Sequence, residues 1–227
     1  MILFRKFDLK SIAIWRKLKT AFFLFVKKPF YTYRYNINNT FKCNGIINGS
    51  IIIDGYNNEI TIQSGAILNN VSIVIRGDNN KLIIQKGVIF HEKGKIIMED
   101  DGNTIDIGER TNIMGAYFAV RDCNKKLIIG KECLLSSEVV IRTSDAHSIL
   151  DMNNHRINNA LDTIIKDHVW IGYGATILKG AIIETDCVVG TQCVVTRMTI
   201  PHNSIVAGNP GRVIKSGITW CMERTRE

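Results

Sequence analysis

The sequence predicts an all-β parallel solenoid of short strands, and three observations predict it. From Ile165 onward, Ile165, Ile171, Ile177, Ile183, Val189 and Val195 stand six apart, and Ala207 returns to that register after Pro201. Four residues beyond each of the six stands a smaller group: Val169, Ala175, Ala181, Cys187, Cys193 and Thr199. Between residues 54 and 131 a longer unit recurs, and its second isoleucine falls at 62, 84, 107 and 129, a period of 22 to 23. After residue 36 the chain is nearly free of proline and rich in Gly, Asn, Ile and Val. Plain strand alternation has a period of two. A strict period of six requires short flat strands separated by corners, three of which close a triangular coil. Each coil then buries its aliphatic row only against its neighbours.

The elements follow in chain order. In residues 1–35, Phe4, Phe7, Trp15, Leu18, Phe22 and Phe25 recur at helical intervals with lysines between them. That pattern predicts an amphipathic helix, or two joined near Ser11, ending near Pro29. Its longest apolar run, Ala21–Val26, is too short to span a bilayer, which needs about 20 residues. It also lacks the apolar core and cleavage site of a signal peptide. Rings and lysines together suit the surface of an anionic membrane; docking on protein is the competing reading.

Residues 36–215 form the solenoid. Its first part repeats Asp54-Gly-Tyr-Asn-Asn-Glu-Ile-Thr-Ile62, Gly77-Asp-Asn-Asn-Lys-Leu-Ile-Ile84, Asp101-Gly-Asn-Thr-Ile-Asp-Ile107 and Asp122-Cys-Asn-Lys-Lys-Leu-Ile-Ile129. Asn and Gly accept the left-handed backbone of tight corners. These longer units read as 18-residue coils with about four extra residues bulging at one corner. Residues 144–164 follow no hexad and carry too many polar groups for a core, so they read as an inserted loop, where binding groups are expected. Residues 216–227 are a C-terminal tail.

Charge narrows the function classes. The net charge is +8, and the first 35 residues alone hold nine basic side chains against Asp8. The remaining chain is therefore neutral. A basic nucleic-acid-binding face is not implied, despite a pI near 9.2. The six cysteines are scattered without a C-x-x-C pair, so they read as reduced packing groups of a cytoplasmic protein. No ligand cluster for zinc or another metal is visible. The solenoid remains the informative part.

Three stretches carry a resemblance: Ile141-Arg-Thr-Ser-Asp-Ala-His147 with the loop through Arg156-Ile-Asn158, Asp167-His-Val-Trp-Ile-Gly172, and the closing run from Ile200 to Ile214. On them the chain resembles the hexapeptide-repeat acyltransferases over residues 36–215. Within that family it is similar to the capsular polysaccharide O-acetyltransferases, including those that modify polysialic acid. The resemblance implies a left-handed parallel β-helix, a homotrimer, acetyl-CoA as co-substrate and a carbohydrate acceptor, with no metal required.

The site chemistry follows from that. A sugar hydroxyl is a weak nucleophile, so acetyl transfer to it needs a base, and histidine titrates in a suitable range. His147, in the inserted loop, matches the family's catalytic histidine. Asp145, Asp151 and Glu138 are the acids available to orient it, with Asp145 favoured because residues two apart share one face of an extended strand. The asparagine that some small-sugar members carry one coil earlier is missing from Ala116–Val120, so a backbone N–H is the economical oxyanion donor. Trp170 precedes an inward isoleucine and should point outward, and its family counterpart contributes to the active site. Gly172, Gly174, Gly190 and Ala207 would let the coenzyme arm approach the backbone, and Arg212 and Lys215 would meet its phosphates. Cys187 and Cys193 fall on corner positions and read as structural. O-acetyl transfer to a surface polysaccharide is the leading expectation. N-acetyl transfer to an amino sugar or nucleotide-sugar precursor, and a non-catalytic β-helix, are the alternatives.

Overall fold

A computed structural model describes residues 30–34 and 38–224. The amphipathic helix expected before Pro29 lies outside the described residues. From Thr40 the chain winds into a left-handed parallel β-solenoid with three faces. The first face holds β2 (Thr40–Cys43), β4 (Glu59–Ile62), β6 (Lys81–Ile84), β9 (Thr104–Ile107), β12 (Lys126–Ile129), β15 (Thr163–Ile165), β18 (Ile182–Ile183) and β21 (Thr199–Ile200). The second holds β7 (Ile89–Phe90), β10 (Asn112–Ile113), β13 (Leu134–Leu135), β16 (Trp170–Ile171), β19 (Val188–Val189) and β22 (Ser204–Ala207). The third holds β8 (Gly94–Glu99), β11 (Ala116–Val120), β14 (Val139–Arg142), β17 (Thr176–Ile177) and β20 (Val194–Val195). Two long strands, β3 (Ile46–Asp54) and β5 (Ile67–Arg76), bend across the second and third faces. β1 (Phe30–Arg34) pairs with β3, and β23 (Arg212–Ser216) folds back antiparallel on β22.

The two repeats seen in the sequence become the ladder register. Ile62 pairs with Ile84, Ile84 with Ile107, and Ile107 with Ile129 along the first face. Ile165, Ile171, Ile177, Ile183, Val189 and Val195 all point inward and are fully buried, as are Val169, Ala175, Ala181, Cys187 and Cys193 beside them. After Pro201 the register departs from expectation. Ile200 pairs with Ile183 and Val206 with Val189, so Val206 is the buried member and Ala207 lies outside the core. The corner before Ile200 is one residue short. Met198 consequently packs on the core and Thr199 is exposed.

The extra residues of the early coils sit at the corner between the third and first faces. Ile96 and Ile107 are 11 positions apart across it, whereas Ile177 and Ile183 are six apart. A buried asparagine stack supports the longer corners. The side-chain oxygen of Asn58 accepts from the Asn80 N–H, that of Asn80 from Asn103, and that of Asn103 from Lys125, at 2.8–2.9 Å. Their side-chain amides donate to the carbonyls of Gly77, Asp100 and Glu99. Each buried polar group is thereby satisfied within the stack. The irregular insert leaves the solenoid at this same corner, between β14 and β15. It replaces the asparagine stack by a loop.

Candidate active site

The insert is a folded element held by its own polar side chains. Leu150 and Arg156 pair across its tip, and Asp151 accepts from the N–H groups of Asn153 and His155 at 2.8 and 2.9 Å, closing the turn. Asn158, almost fully buried, is its hub. The amide donates to the His147 carbonyl and to the Asp145 carboxylate, both at 2.8 Å, while its oxygen accepts from the Ile149 N–H at 2.8 Å. One amide therefore fixes the His147 carbonyl, the backbone two residues on and the Asp145 side chain.

Two charged anchors tie the insert to the coils. Arg156 donates two parallel bonds to Asp122, at 2.6 and 3.0 Å, and the Ser144 hydroxyl donates to the same carboxylate. Arg156 holds the Asp122 carboxyl below its ordinary range, with Ser144 adding to the effect against a desolvation cost. Lys179, from the coil above, donates to Asp145 and to the Asn158 carbonyl. Burial alone would raise Asp145, but Lys179 and Asn158 together keep it below the usual carboxylate range.

These partners correct the expectation about which acid orients His147. Asp145 is committed to Lys179 and Asn158, and Asp151 to its own turn and to His155. Glu138 lies at the corner between the second and third faces, where it accepts from Tyr173 and pushes the phenol up. No hydrogen bond reaches the His147 ring among the described residues. The other four histidines all have ring partners: His91 with Asn112, His155 with Asp151, His168 with Asp186 and His202 with Asn203. The exposed His147 ring is free for a ligand. It lines a groove of about 560 Å³ along the insert's corner, shared with Arg76, Glu99, Arg121 and Asp122.

Trp170 stands on the second face with its side chain outward, 39% exposed, while Ile171 beside it is fully buried. It does not stand alone. Trp220 of the C-terminal tail lies 6.0 Å from it, centroid to centroid, and stacks on His168 at 4.3 Å. The Trp220 indole N–H donates to the His168 carbonyl, and Thr219 donates to Asp186, which also holds the His168 ring. The tail is thus pinned next to Trp170. The second face lies across the triangular section from the corner that carries His147, so one chain keeps these two residues apart.

The glycines are needed by the stacking of the coils themselves. A Cβ on Gly172 would meet the Thr191 nitrogen and Val189 oxygen at 2.8 Å, and one on Gly190 would meet Ala207 at 3.2 Å. The space is already filled by the next coil, so these residues permit stacking. Gly174 adopts φ +64° at its corner, which glycine accepts without strain. Arg212 and Lys215 lie exposed on β23, with no carboxylate within 4.0 Å among the described residues. Cys133, Cys187 and Cys193 are fully buried, and burial pushes the Cys133 thiol up to about 12. Such thiols are poor nucleophiles.

Residues 162–197 match the bacterial transferase hexapeptide family (six repeats). A polysialic acid O-acetyltransferase of Escherichia coli O1:K1 / APEC is 36% identical over 135 residues, 57% of this chain and 43% of that protein. A polysialic acid O-acetyltransferase of Neisseria meningitidis is 32% identical over 96 residues, 42% of this chain and 45% of that protein. The chain thus spans less than half the length of these two curated relatives. Among solved structures, the polySia-specific acetyltransferase NeuO superposes with a TM-score of 0.80 at 32% identity, covering 87% of this chain and 92% of that one. The polysialic acid O-acetyltransferase OatWY gives a TM-score of 0.72 at 26% identity, covering 86% and 89%.

Proposed function

This chain belongs to the hexapeptide-repeat acetyltransferase family related to the polysialic acid O-acetyltransferases, and from that membership we propose that it transfers acetyl from acetyl-CoA to a sugar hydroxyl of a capsular or other surface polysaccharide, sialic-acid-containing polymers included. The observation that carries the reading is the free His147 ring, facing a groove from a loop that Asn158 holds rigid. In the proposed reaction His147 takes the proton of the acceptor hydroxyl while its oxygen attacks the thioester carbonyl. The C–S bond then breaks, and the thiolate leaves and is protonated. Preorganised geometry of this kind lowers the barrier by fixing base and acceptor before reaction. Direct transfer is favoured over a covalent cysteine route, because the buried cysteines are held protonated.

Acetyl-CoA suits the residues present. Arg212 and Lys215 offer cations near the C-terminal coils that pair with no carboxylate among the described residues, and Trp170 offers an exposed apolar surface for the pantetheine arm. Trp170 and His147 lie on opposite sides of one coil section, so a composite site needs a second copy. This supports a homotrimer in which one subunit's base faces its neighbour's tryptophan.

The test is acetyl transfer to a panel of polysaccharides, with the product located by NMR. His147→Ala should lose turnover by about 10²-fold or more with its thermal melt unchanged. Near-wild-type turnover in that variant would sink the mechanism. A product acetylated only on nitrogen would replace the O-transfer reading with the amino-sugar alternative.

A further inference from the structure

After β23 the chain turns at Gly217, whose φ of +75° suits glycine, and runs back along the corner between the first and second faces. Three consecutive tail residues meet that corner in three consecutive coils. The Ile218 N–H donates to the Asn203 carbonyl at 3.0 Å, and the Asn203 side-chain amide returns a bond to the Ile218 carbonyl at 2.8 Å. One coil earlier, the Thr219 hydroxyl donates to Asp186 at 3.0 Å. One coil earlier still, the Trp220 indole N–H donates to the His168 carbonyl at 2.8 Å. His168, Asp186 and Asn203 hold equivalent corner positions, with φ of +54°, +58° and +56°. The tail is thus built in register with the solenoid, one residue per coil.

Closing the core does not require this ladder. Among the described residues the buried apolar core ends at Val206 and takes no side chain from the tail. What the ladder does is deliver Trp220 to the edge of the second face. Its ring lies flat on His168, with 4.3 Å between centroids and 8° between planes, and stands 6.0 Å from the Trp170 ring at 46°. Both spacings are those of aromatic contact. Trp170 points outward, with Leu134 and Val188 as its ladder partners one coil earlier and one coil later. Those two flank the indole along the column of outward side chains, and Trp220 closes on it from the corner. With Trp220 removed, that side of the indole would be open and more side-chain orientations would be available to it.

We infer that Trp220 is a positioning residue for the donor side of the site: packed beside Trp170, it holds that indole in the orientation that receives the pantetheine arm, and the three rungs of the tail hold Trp220. This rests on the reading above in which Trp170 meets acetyl-CoA. Trp220 acts through Trp170 and touches none of the reacting atoms. An indole fixed before binding has little rotamer freedom left to lose, so the coenzyme binds a held ring more tightly than a free one. Releasing one such side chain weakens binding by about three- to tenfold. The acceptor side, at the corner that carries His147, lies across the section and is left as it was.

The experiment titrates the full-length protein calorimetrically with coenzyme A, as wild type, W170A, W220A, W220F and the W170A/W220A double variant. Steady-state acetyl transfer to oligosialic acid by wild type and W220A is measured in parallel. W220A should bind coenzyme A about three- to tenfold more weakly and raise the KM for acetyl-CoA in step, while kcat stays within about twofold of wild type. The double variant should bind no more weakly than W170A, because both changes act on one contact. W220F, which keeps a ring beside Trp170, should bind more tightly than W220A. Wild-type affinity in W220A overturns the assignment, as does a loss that adds in full to that of W170A, a loss confined to kcat, or a W220F no better than W220A. If W170A weakens coenzyme A binding and W220A does not, the inference falls while the donor reading stands. If wild type binds no coenzyme A, the acetyltransferase reading falls and the inference with it. Should W220A fail to fold, T219V removes the Asp186 rung alone, and wild-type affinity in that variant would overturn the positioning role.

Discussion

At the residue scale, Asn158 illustrates how the proposed base is held in place by a side chain that does not bond its ring. Its side chain bonds the His147 carbonyl, the Ile149 N–H and the carboxylate of Asp145, yet makes no hydrogen bond to the imidazole. Asn158→Ala would leave the Ile149 N–H and the His147 carbonyl without these partners and free the loop to shift. Small displacements of a base can cost about 10²-fold in rate, so we expect kcat to fall by roughly ten- to a hundredfold with the KM for acetyl-CoA unchanged. Steady-state kinetics together with hydrogen exchange over residues 145–158 would check this; unchanged kcat alongside faster exchange would remove Asn158 from the positioning role. In the sequence, Asn158 is one of several polar residues in an irregular loop, and its role depends on contacts 9 to 13 residues away. The acid assigned to His147 failed for a related reason. Asp145 shares a strand-like spacing with His147, but Lys179, 34 residues later, claims its carboxylate from the next coil. Chain proximity favours a local pairing, and the solenoid supplies a stronger remote one.

At the scale of elements, the coils were legible because their physics is periodic. An inward isoleucine recurs at each strand, and every stacked coil repeats the requirement. The exception is instructive: the corner before Ile200 drops one residue, and Val206 takes the buried position that the spacing assigned to Ala207. The glycines at 172 and 190 were visible as small residues, but their purpose was not, because only stacking reveals that the next coil fills the space. The asparagine stack is an equally remote device, with a measurable energetic signature. Asn80→Ala should leave the buried Asn103 N–H unsatisfied and remove a bond to the Asp100 carbonyl. We expect a loss of about 1–3 kcal/mol, read as a lower midpoint in denaturant at unchanged slope; a midpoint equal to wild type would mean water replaces the amide. The insert's anchors predict a pH effect with a definite sign. The Asp122 and Asp145 carboxyls are held lower in the folded protein than in the unfolded chain. Their contribution is fully present above the unfolded carboxylate pKa of about 4 and is lost as pH falls through the depressed folded values. Hydrogen exchange in residues 144–162 should therefore stay constant from neutral pH to about pH 5 and rise only in stronger acid, after correction for intrinsic exchange. A rise between pH 6 and 5 would indicate a histidine-controlled anchor instead.

At the scale of the whole molecule, the separation of His147 from Trp170 and the placement of charge bear on assembly and address. If a site combines His147 of one subunit with Trp170 of the next, the inactive variants His147→Ala and Trp170→Ala should complement each other when refolded together. An equal mixture would restore about a quarter of the interfaces, whereas a site contained within one chain would restore none. The charge pattern adds a second consequence. The excess of +8 belongs to the first 35 residues, and the described end of that segment, Phe30–Arg34, is a strand paired with β3. A deletion meant to test membrane contact must therefore stop at residue 29, since removing β1 would also strip the edge of the sheet. Three copies of a lysine- and phenylalanine-bearing segment on one trimer would bind an anionic surface with far higher avidity than one copy, because after the first contact the others become intramolecular. Such contact would hold the solenoid against an anionic membrane surface. Removing residues 1–29 should then abolish sedimentation with anionic liposomes while kcat on a soluble acceptor stays within about twofold of wild type. Adding salt should weaken the full-length protein's binding in the same assay, since head-group attraction is screened within about 10 Å at 0.1 M. Liposome binding that survives the deletion, or that is indifferent to salt, would assign the segment to packing on protein and leave the solenoid's location to other signals.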